Sequence, residues 1–220
     1  MDDDHSKEFC DLKMRLEALS VDLKLRVVFL KTAFRSSGPA AARNLGLDLA
    51  SAPKITFFDC DDYWHPYYLE RMSIEIDKLS ADIIVCNSIT KINGKSFQLK
   101  LPRKYGRRRL LQTNILSMPC VMIKSNKFKG KRFPNCGHED YAFWLANVTD
   151  ETSIKILDEA LVTINKVENS VSSNFLRSIS WYWKLLNVQK ISPPYKCLCF
   201  CLYLLNFHNL NLIFYSNHNQ

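Results

Sequence analysis

An α/β fold, a sheet with helices laid on it, is predicted by three observations. Apolar runs of strand length alternate along the chain with segments of helical periodicity. The stretch from Gly38 to Pro66 alone reads as a helix, a short turn, a strand and an acidic strand exit. The length of 220 residues and an apolar content of 47% suffice for one large domain with its own core.

The elements follow in order. Ser6 suits a helix N-cap, and Phe9, Leu12, Leu16 and Leu19 mark an amphipathic helix to about Ser20. Arg26–Leu30 is apolar and β-branched, and is predicted to be a strand. Pro39 fits a first helical turn, where a missing N–H costs nothing. Ala42, Leu45, Gly46 and Leu49 then recur at helical spacing, and Ala50-Ser51-Ala52-Pro53 ends the helix. Lys54–Phe58 is the next strand. After Pro66, a helix is expected to present Leu69, Met72, Ile76 and Leu79 to the core. Asp82–Cys86 is a buried strand, and Asn93-Gly94 between extended runs predicts a hairpin. Strands Cys120–Lys124 and Leu161–Lys166 flank an apolar helix opened by Glu139 and Asp140, acids that suit the dipole of a helix start. A helix carrying Trp181, Tyr182, Trp183 and Leu186 follows. The segment Tyr195–Tyr215 is apolar but interrupted by Asn206, His208, Asn209 and Asn211. It is too polar to span a bilayer, and either packs on the domain or lies on a membrane surface.

Thirty basic and 22 acidic residues give a net charge of +8, which suits an anionic partner. The densest basic run is Arg103-Lys104-Tyr105-Gly106-Arg107-Arg108-Arg109. It reads as a solvated loop, or as a contact with diphosphate, an anionic acceptor or a membrane face. Nucleic acid is not expected, because the run has a single aromatic, Tyr105, and belongs to no recognisable module. Eight cysteines at 10, 60, 86, 120, 136, 197, 199 and 201 form no C-x-x-C pair, and most lie in apolar runs. A reducing cytoplasm is the expected setting, and the acidic start Met1-Asp2-Asp3-Asp4-His5 lacks the basic region of a signal peptide.

Asp59, Asp61 and Asp62 crowd three carboxylates into four residues at the end of a strand. That edge of an open α/β sheet is where ligands bind. Mutual repulsion there is relieved by a hard divalent cation, whose other oxygen ligands come from a phosphate. Asp59-Cys60-Asp61 is therefore a candidate D-x-D metal–diphosphate site, although an acidic surface turn produces the same pattern.

The residues Gly38, Ala41-Ala42-Arg43-Asn44, Gly46, Phe57-Phe58-Asp59-Cys60-Asp61-Asp62, Trp64 and Pro66 resemble the core motif of family 2 glycosyltransferases. Cys136-Gly137-His138-Glu139-Asp140-Tyr141-Ala142-Phe143-Trp144-Leu145 is similar to that family's acceptor-side motif, in which Glu-Asp opens a helix backed by aromatics. Asn169-Ser170-Val171-Ser172 resembles a segment that follows the last strand in many bacterial members. Asp3-Asp4-His5-Ser6 looks like the Asp-Asp-Gly-Ser motif at the end of the family's second strand, with His5 in place of glycine.

The resemblance implies the GT-A fold, a Rossmann-like three-layer sandwich, over residues 1–168, with 169–220 as a C-terminal helical extension, membrane-surface in one of its two readings. It implies that Asp3 and Asp4 hold the nucleoside, that Arg43 and Asp59 lie at the nucleotide, and that Asp61 with Asp59 binds Mg²⁺ or Mn²⁺. Asp140 becomes the general base, with Glu139 beside it. The implied donor is a nucleotide sugar, foremost a UDP-sugar. The implied acceptor is a hydroxyl of a glycan or lipid-linked glycan, on the way to a bacterial lipopolysaccharide or capsule. The setting is cytoplasmic, peripheral to the inner membrane face. Because the family has a first strand, a helix and a second strand before the Asp-Asp-Gly-Ser motif, the chain is expected to be shortened at its N-terminus, with strands 26–30 and 54–58 short of a neighbour. Two other readings compete. An inactive shortened relative is one. The other is a haloacid-dehalogenase-like phosphatase, which also has Asp-x-Asp after a strand but takes Thr or Val where Asp62 stands.

Overall fold

Helix α1 (Gly38–Leu49) starts where the sequence places it, with Gly38 at φ +78 and Pro39 in the first turn. The computed structural model describes residues 13–18, 26–32, 37–102, 104–166 and 175–216. The chain divides into two units, 1–50 and 51–220.

In the first unit, α1 buries the small residues Ala40 and Ala42, while Leu49 of the expected stripe is 51% exposed. Residues 13–18 are helical, within the helix expected from Ser6. Arg26–Leu30 corrects the sequence reading: the segment is neither strand nor helix, and Val27, Val28 and Leu30 are exposed. β-Branched residues favour a pleated surface only when a neighbouring strand supplies the ladder.

The second unit is built on a mixed sheet of β1 (Lys54–Thr56), β2 (Tyr63–Trp64), β3 (Ile83–Ile92), β4 (Lys95–Leu99), β5 (Val121–Lys124) and β6 (Ile154–Lys166). The strand order is β1-β5-β3-β6-β2, with β4 also paired to β3. The parallel pair β3–β6 is the spine. On the other edge of β3, residues 83–85 pair with β5 and residues 88–92 with β4. Ile83, Ile84 and Val85 are fully buried, as expected of a strand covered on both faces. The β3–β4 hairpin turns on Asn93 and Gly94, both at positive φ (51° and 75°), the conformation for which Asn-Gly is suited.

β6 is longer than the predicted Leu161–Lys166. Its first half was obscured by Lys155, Asp158 and Glu159, which break the apolar pattern. A register irregularity at Cys86–Ser88 places Asp158 and Glu159 off the regular ladder. Asn87 Nδ2 donates to Asp158 Oδ1 at 2.8 Å, and Arg71 pairs with Glu159.

Helix α2 (Tyr68–Lys78) packs across β3, β5 and β6. It buries Tyr68, Met72, Glu75 and Ile76, leaving Leu69 53% and Leu79 37% exposed. The core stripe thus begins one position before the predicted one, keeps Met72 and Ile76, and ends there, because Leu79 lies just past the end of the helix. Glu75 is tolerated inside because Arg71 (3.7 Å) and Lys78 (3.3 Å) pair with it.

Short helices α3 (Arg107–Leu110) and α4 (Ser125–Phe128) flank a 3₁₀ turn at Met118–Cys120. Helix α5 (Glu139–Asn147) buries Tyr141 through Leu145, and Trp144 Nε1 donates to Leu116 O at 2.8 Å. Helices α6 (Phe175–Asn187) and α7 (Pro193–Ser216) close the chain. Tyr182 of α6 stacks between Tyr141 of α5 (5.7 Å) and Tyr203 of α7 (3.8 Å). The described side chains of the last helix are packed on one face and open on the other: Cys199 and Tyr203 are buried, and Leu198 and Leu205 face outwards. Among the described residues no helix is long and apolar enough to cross a membrane.

The basic run does not act as one surface. Arg107 turns inward and donates to Leu145 O (2.9 Å), Val148 O (2.5 Å) and Gln189 Oε1 (3.0 Å), answering the free carbonyls at the end of α5. Arg108 and Arg109 are exposed.

Candidate active site

β1 ends at Thr56, two residues before the predicted Phe58. Thr56 Oγ1 donates to Val121 O at 2.7 Å, and the chain then leaves the ladder. Phe57 meets Phe133 edge-on at 5.4 Å, and Phe58 leans on Trp64 at 4.8 Å. The acidic residues follow in a turn closed by Asp62 N donating to Asp59 O at 3.0 Å.

The far end of β6 clamps that turn. Asn165 N donates to Asp62 Oδ1 (3.2 Å), and Asn165 Nδ2 donates to Asp61 O (2.6 Å). β2 pairs with β6 immediately afterwards, and Trp64 Nε1 donates to Pro119 O at 2.8 Å while its ring stacks on Tyr68 at 4.2 Å. Asp59 and Asp62 are half-buried and Asp61 is exposed. Asp59, Asp61 and Asp62 therefore share one turn, with Asp62 turned inward as a structural member.

Partial burial pushes the Asp62 pKa up to about 6 from 3.8, against the opposing hydrogen bond from Asn165, and the charges of Asp61 and Asp59 add to the rise. Ionising Asp62 thus costs the folded chain more than the unfolded one. The cost is absent below about pH 4, grows as pH rises towards 6, and is complete above it. Asp62→Asn keeps an acceptor for the Asn165 N–H and removes the charge. It is expected to raise Tm at neutral pH, with the gain vanishing near pH 4. A thermal-shift series across that range checks this, and equal melting at every pH contradicts it.

The second acidic pair opens α5. His138, the residue before it, is left-handed (φ 55, ψ 48). Asp140 Oδ2 accepts from Asn114 Nδ2 at 3.3 Å. Its charge reaches two neighbours: Tyr203 is pushed up to about 12 by burial and then by Asp140, and Cys136 is raised by burial, Glu139 and Asp140. Phe143, one turn below on α5, stacks on Phe133 at 4.1 Å, and Phe133 in turn meets Phe57. An aromatic chain thus joins the acidic turn after β1 to the helix that carries Glu139 and Asp140.

Arg43 lies on α1 in the 1–50 unit. Asp3 and Asp4 lie outside the described residues, as do Arg103 and Asn169–Ser172. Sequence reasoning missed Asn165 and Asn114. Asn165 was visible as a polar residue ending an apolar strand; Asn114 carried no local signal. Among the described residues no group of three or more His, Cys, Asp or Glu side chains converges as a metal cage. The acidic turn offers carboxylate oxygens, the ligand chemistry of a hard divalent cation.

A mixed sheet whose first strand runs into an acidic turn, backed by a helix opened by a second acidic pair, defines a transferase fold of the GT-A type. Residues 3–139 match the family described as Glycosyl transferase family 2. A Haemophilus influenzae protein described as an uncharacterized glycosyltransferase is 32% identical over 201 residues, covering 84% of this chain and 74% of its own length. The chain belongs to glycosyl transferase family 2 and is a glycosyltransferase. The Escherichia coli UDP-Glc:alpha-D-GlcNAc-diphosphoundecaprenol beta-1,3-glucosyltransferase WfaP is 26% identical over 187 residues, 82% of this chain and 72% of its own. Among solved structures, S. aureus TarS 1-349 in complex with UDP-GlcNAc superposes with a TM-score of 0.65 at 20% identity, over 92% of this chain and 61% of that one. The mannosyltransferase PcManGT from Pyrobaculum calidifontis, in complex with GDP-Man and Mn²⁺, gives 0.63 at 16% identity, over 93% and 59%.

Proposed function

We propose that this transferase moves a sugar from a nucleotide-diphosphate donor, a UDP-sugar, to a hydroxyl of a growing, lipid-linked cell-surface glycan of the lipopolysaccharide or capsule type. The observation that carries this reading is the Phe57–Phe133–Phe143 chain, which fixes the acidic turn and the Asp140 helix on one framework. The transfer needs both: a site for the leaving diphosphate and a proton acceptor for the attacking hydroxyl. The E. coli relative, a glucosyltransferase named for UDP-Glc and a diphosphoundecaprenol-linked sugar, supports the choice of donor and acceptor class.

Asp140 is the general base, and Asn114 holds one of its oxygens. Glu139 stands beside it at the positive end of the helix. Asp61, with Asp59, holds Mg²⁺ or Mn²⁺. Two carboxylates that share a cation with a diphosphate are the usual arrangement for Mg²⁺, and the Mn²⁺ of the mannosyltransferase complex supports the same choice. Bound there, the ion supplies Lewis-acid charge to the leaving diphosphate. Asp3, Asp4 and Arg43 bind the nucleoside and phosphate side of the donor. Residues 1–168 make up the transferase domain and 169–220 its helical extension.

Incubation with UDP-sugars, Mn²⁺ and a lipid-diphosphate-linked sugar acceptor tests the reading. Sugar transfer is expected, with free UDP as the second product. Release of inorganic phosphate from simple phosphoesters instead indicates the phosphatase reading, and no turnover of any donor indicates an inactive relative.

We also propose that the enzyme works at the inner face of the cytoplasmic membrane, through exposed Arg108 and Arg109 and the outward Leu198 and Leu205 of α7. Each basic residue near an anionic surface contributes about 1 kcal/mol. In flotation with anionic vesicles the protein is expected in the lipid fraction at low salt, and less so after Arg108→Glu with Arg109→Glu. Full recovery in the soluble fraction at low salt removes the proposal.

A further inference from the structure

The turn that delivers Asp140 is held from outside its own helix. A Cβ added to Gly137 would overlap three ring atoms of Trp181, so the indole of α6 lies directly against this glycine. The next residue, His138, stands edge-on to the same indole at 5.2 Å and 85°. His138 adopts a left-handed backbone conformation, and its Nε2 is buried with no hydrogen-bond partner. A non-glycine residue in that conformation and an unpaired buried nitrogen are both costly. They persist where surrounding packing dictates the backbone, and such sites cluster at functional centres. The packing here is Trp181. The extension also packs beside the same turn: Tyr203 of α7 stacks on Tyr182, the neighbour of Trp181, at 3.8 Å, and Tyr182 stacks on Tyr141, the residue after Asp140, at 5.7 Å.

We infer that Trp181 is a positioning residue for the Asp140 base, so that α6 and α7 are a working part of the catalytic site. The indole fills the space in front of Gly137 and fixes the left-handed step at His138. That step sets the direction in which Glu139 and Asp140 enter the helix. Displacing the ring lets the turn relax and moves the carboxylate away from the acceptor hydroxyl. The donor site, on the far side of the Phe57–Phe133–Phe143 chain, is untouched. The inference rests on the reading of Asp140 as the base.

The experiment is steady-state transfer by the full chain, with donor and acceptor varied separately. Trp181→Ala is expected to lower kcat on the order of 10²-fold, the scale of an ångström-sized misplacement, with the donor KM within about two-fold of wild type. Trp181→Phe keeps a flat ring on Gly137 and is expected to recover most of the rate. Gly137→Ala, which drives a methyl into the ring, is expected to match Trp181→Ala. A folded Trp181→Ala with wild-type kcat overturns the inference, as does a Trp181→Phe no faster than Trp181→Ala. If Trp181→Ala does not fold, Gly137→Ala and Trp181→Leu in folded form take its place: loss of kcat with donor affinity kept supports the positioning role, and any other result overturns it. Asp140→Asn in the same assay separates the two levels. If it keeps full rate, the base reading fails; if it loses rate while the Trp181 variants do not, only the positioning role fails.

Discussion

Asp140→Asn is expected to bind donor as the wild type does and to transfer sugar about 10²–10⁴-fold more slowly, the usual contribution of a general base. The substitution is close to isosteric. Asn114 Nδ2 can still donate to the remaining side-chain oxygen, and the helix start keeps its shape. On the proposed reading the loss is the proton acceptor, together with one negative charge at the start of α5. Tyr203 and Cys136, whose pKa values that charge raises, are protonated at neutral pH in either case, and the lost first-turn charge costs the helix only about 0.3–1 kcal/mol, so the variant is expected to stay folded. Donor affinity by calorimetry and initial rates of transfer, measured on one preparation, decide the matter. A variant that transfers within a few-fold of wild type removes Asp140 from the role of base.

Asp61→Asn is expected to abolish divalent-metal-dependent nucleotide binding with no change in melting temperature. Asp61 is exposed, and its structural duty is carried by the main chain: the carbonyl, not the carboxylate, accepts from Asn165. The side chain can therefore lose its charge while the turn stays clamped to β6. A neutral amide is a far poorer ligand for a hard cation than a carboxylate, and without the cation the diphosphate meets the remaining charges of Asp59 and Asp62. Titration of UDP in the presence and absence of Mn²⁺ measures the effect. Equal affinity in the variant and wild type refutes the metal role of Asp61.

Several features of this chain were legible from the order of its residues because they depend on neighbours in sequence. Gly38-Pro39 starts a helix, Asn93-Gly94 turns a hairpin, and Glu139-Asp140 opens a helix, each through backbone preferences that act within a few residues. The clustering of Asp59, Asp61 and Asp62 is local in the same way. Two specific motifs, in order, extended this to a family, and with it to a fold.

Contacts between distant segments were not legible. Arg26–Leu30 has the composition of a strand, but a strand exists only where a partner offers its ladder, and none forms at 26–32. β6 runs through two acidic residues because β3 alongside it shifts register and Asn87 and Arg71 receive their charges. Leu69 falls outside while Tyr68 falls inside, since helical periodicity defines a stripe only to within one position and the sheet beneath α2 selects it, and Leu79 falls outside because the helix ends at Lys78. Arg107 reads as part of a basic surface and is instead spent on the carbonyls of α5. The sequence by itself thus determined which carboxylates this transferase carries and which helix and strand ends carry them. Tertiary structure alone decided that Asn165 clamps one acidic group, that Trp181 holds the approach to the other, and that an aromatic chain joins the two, because each of these contacts joins residues far apart in sequence, whose meeting depends on chain path and register and leaves no local pattern.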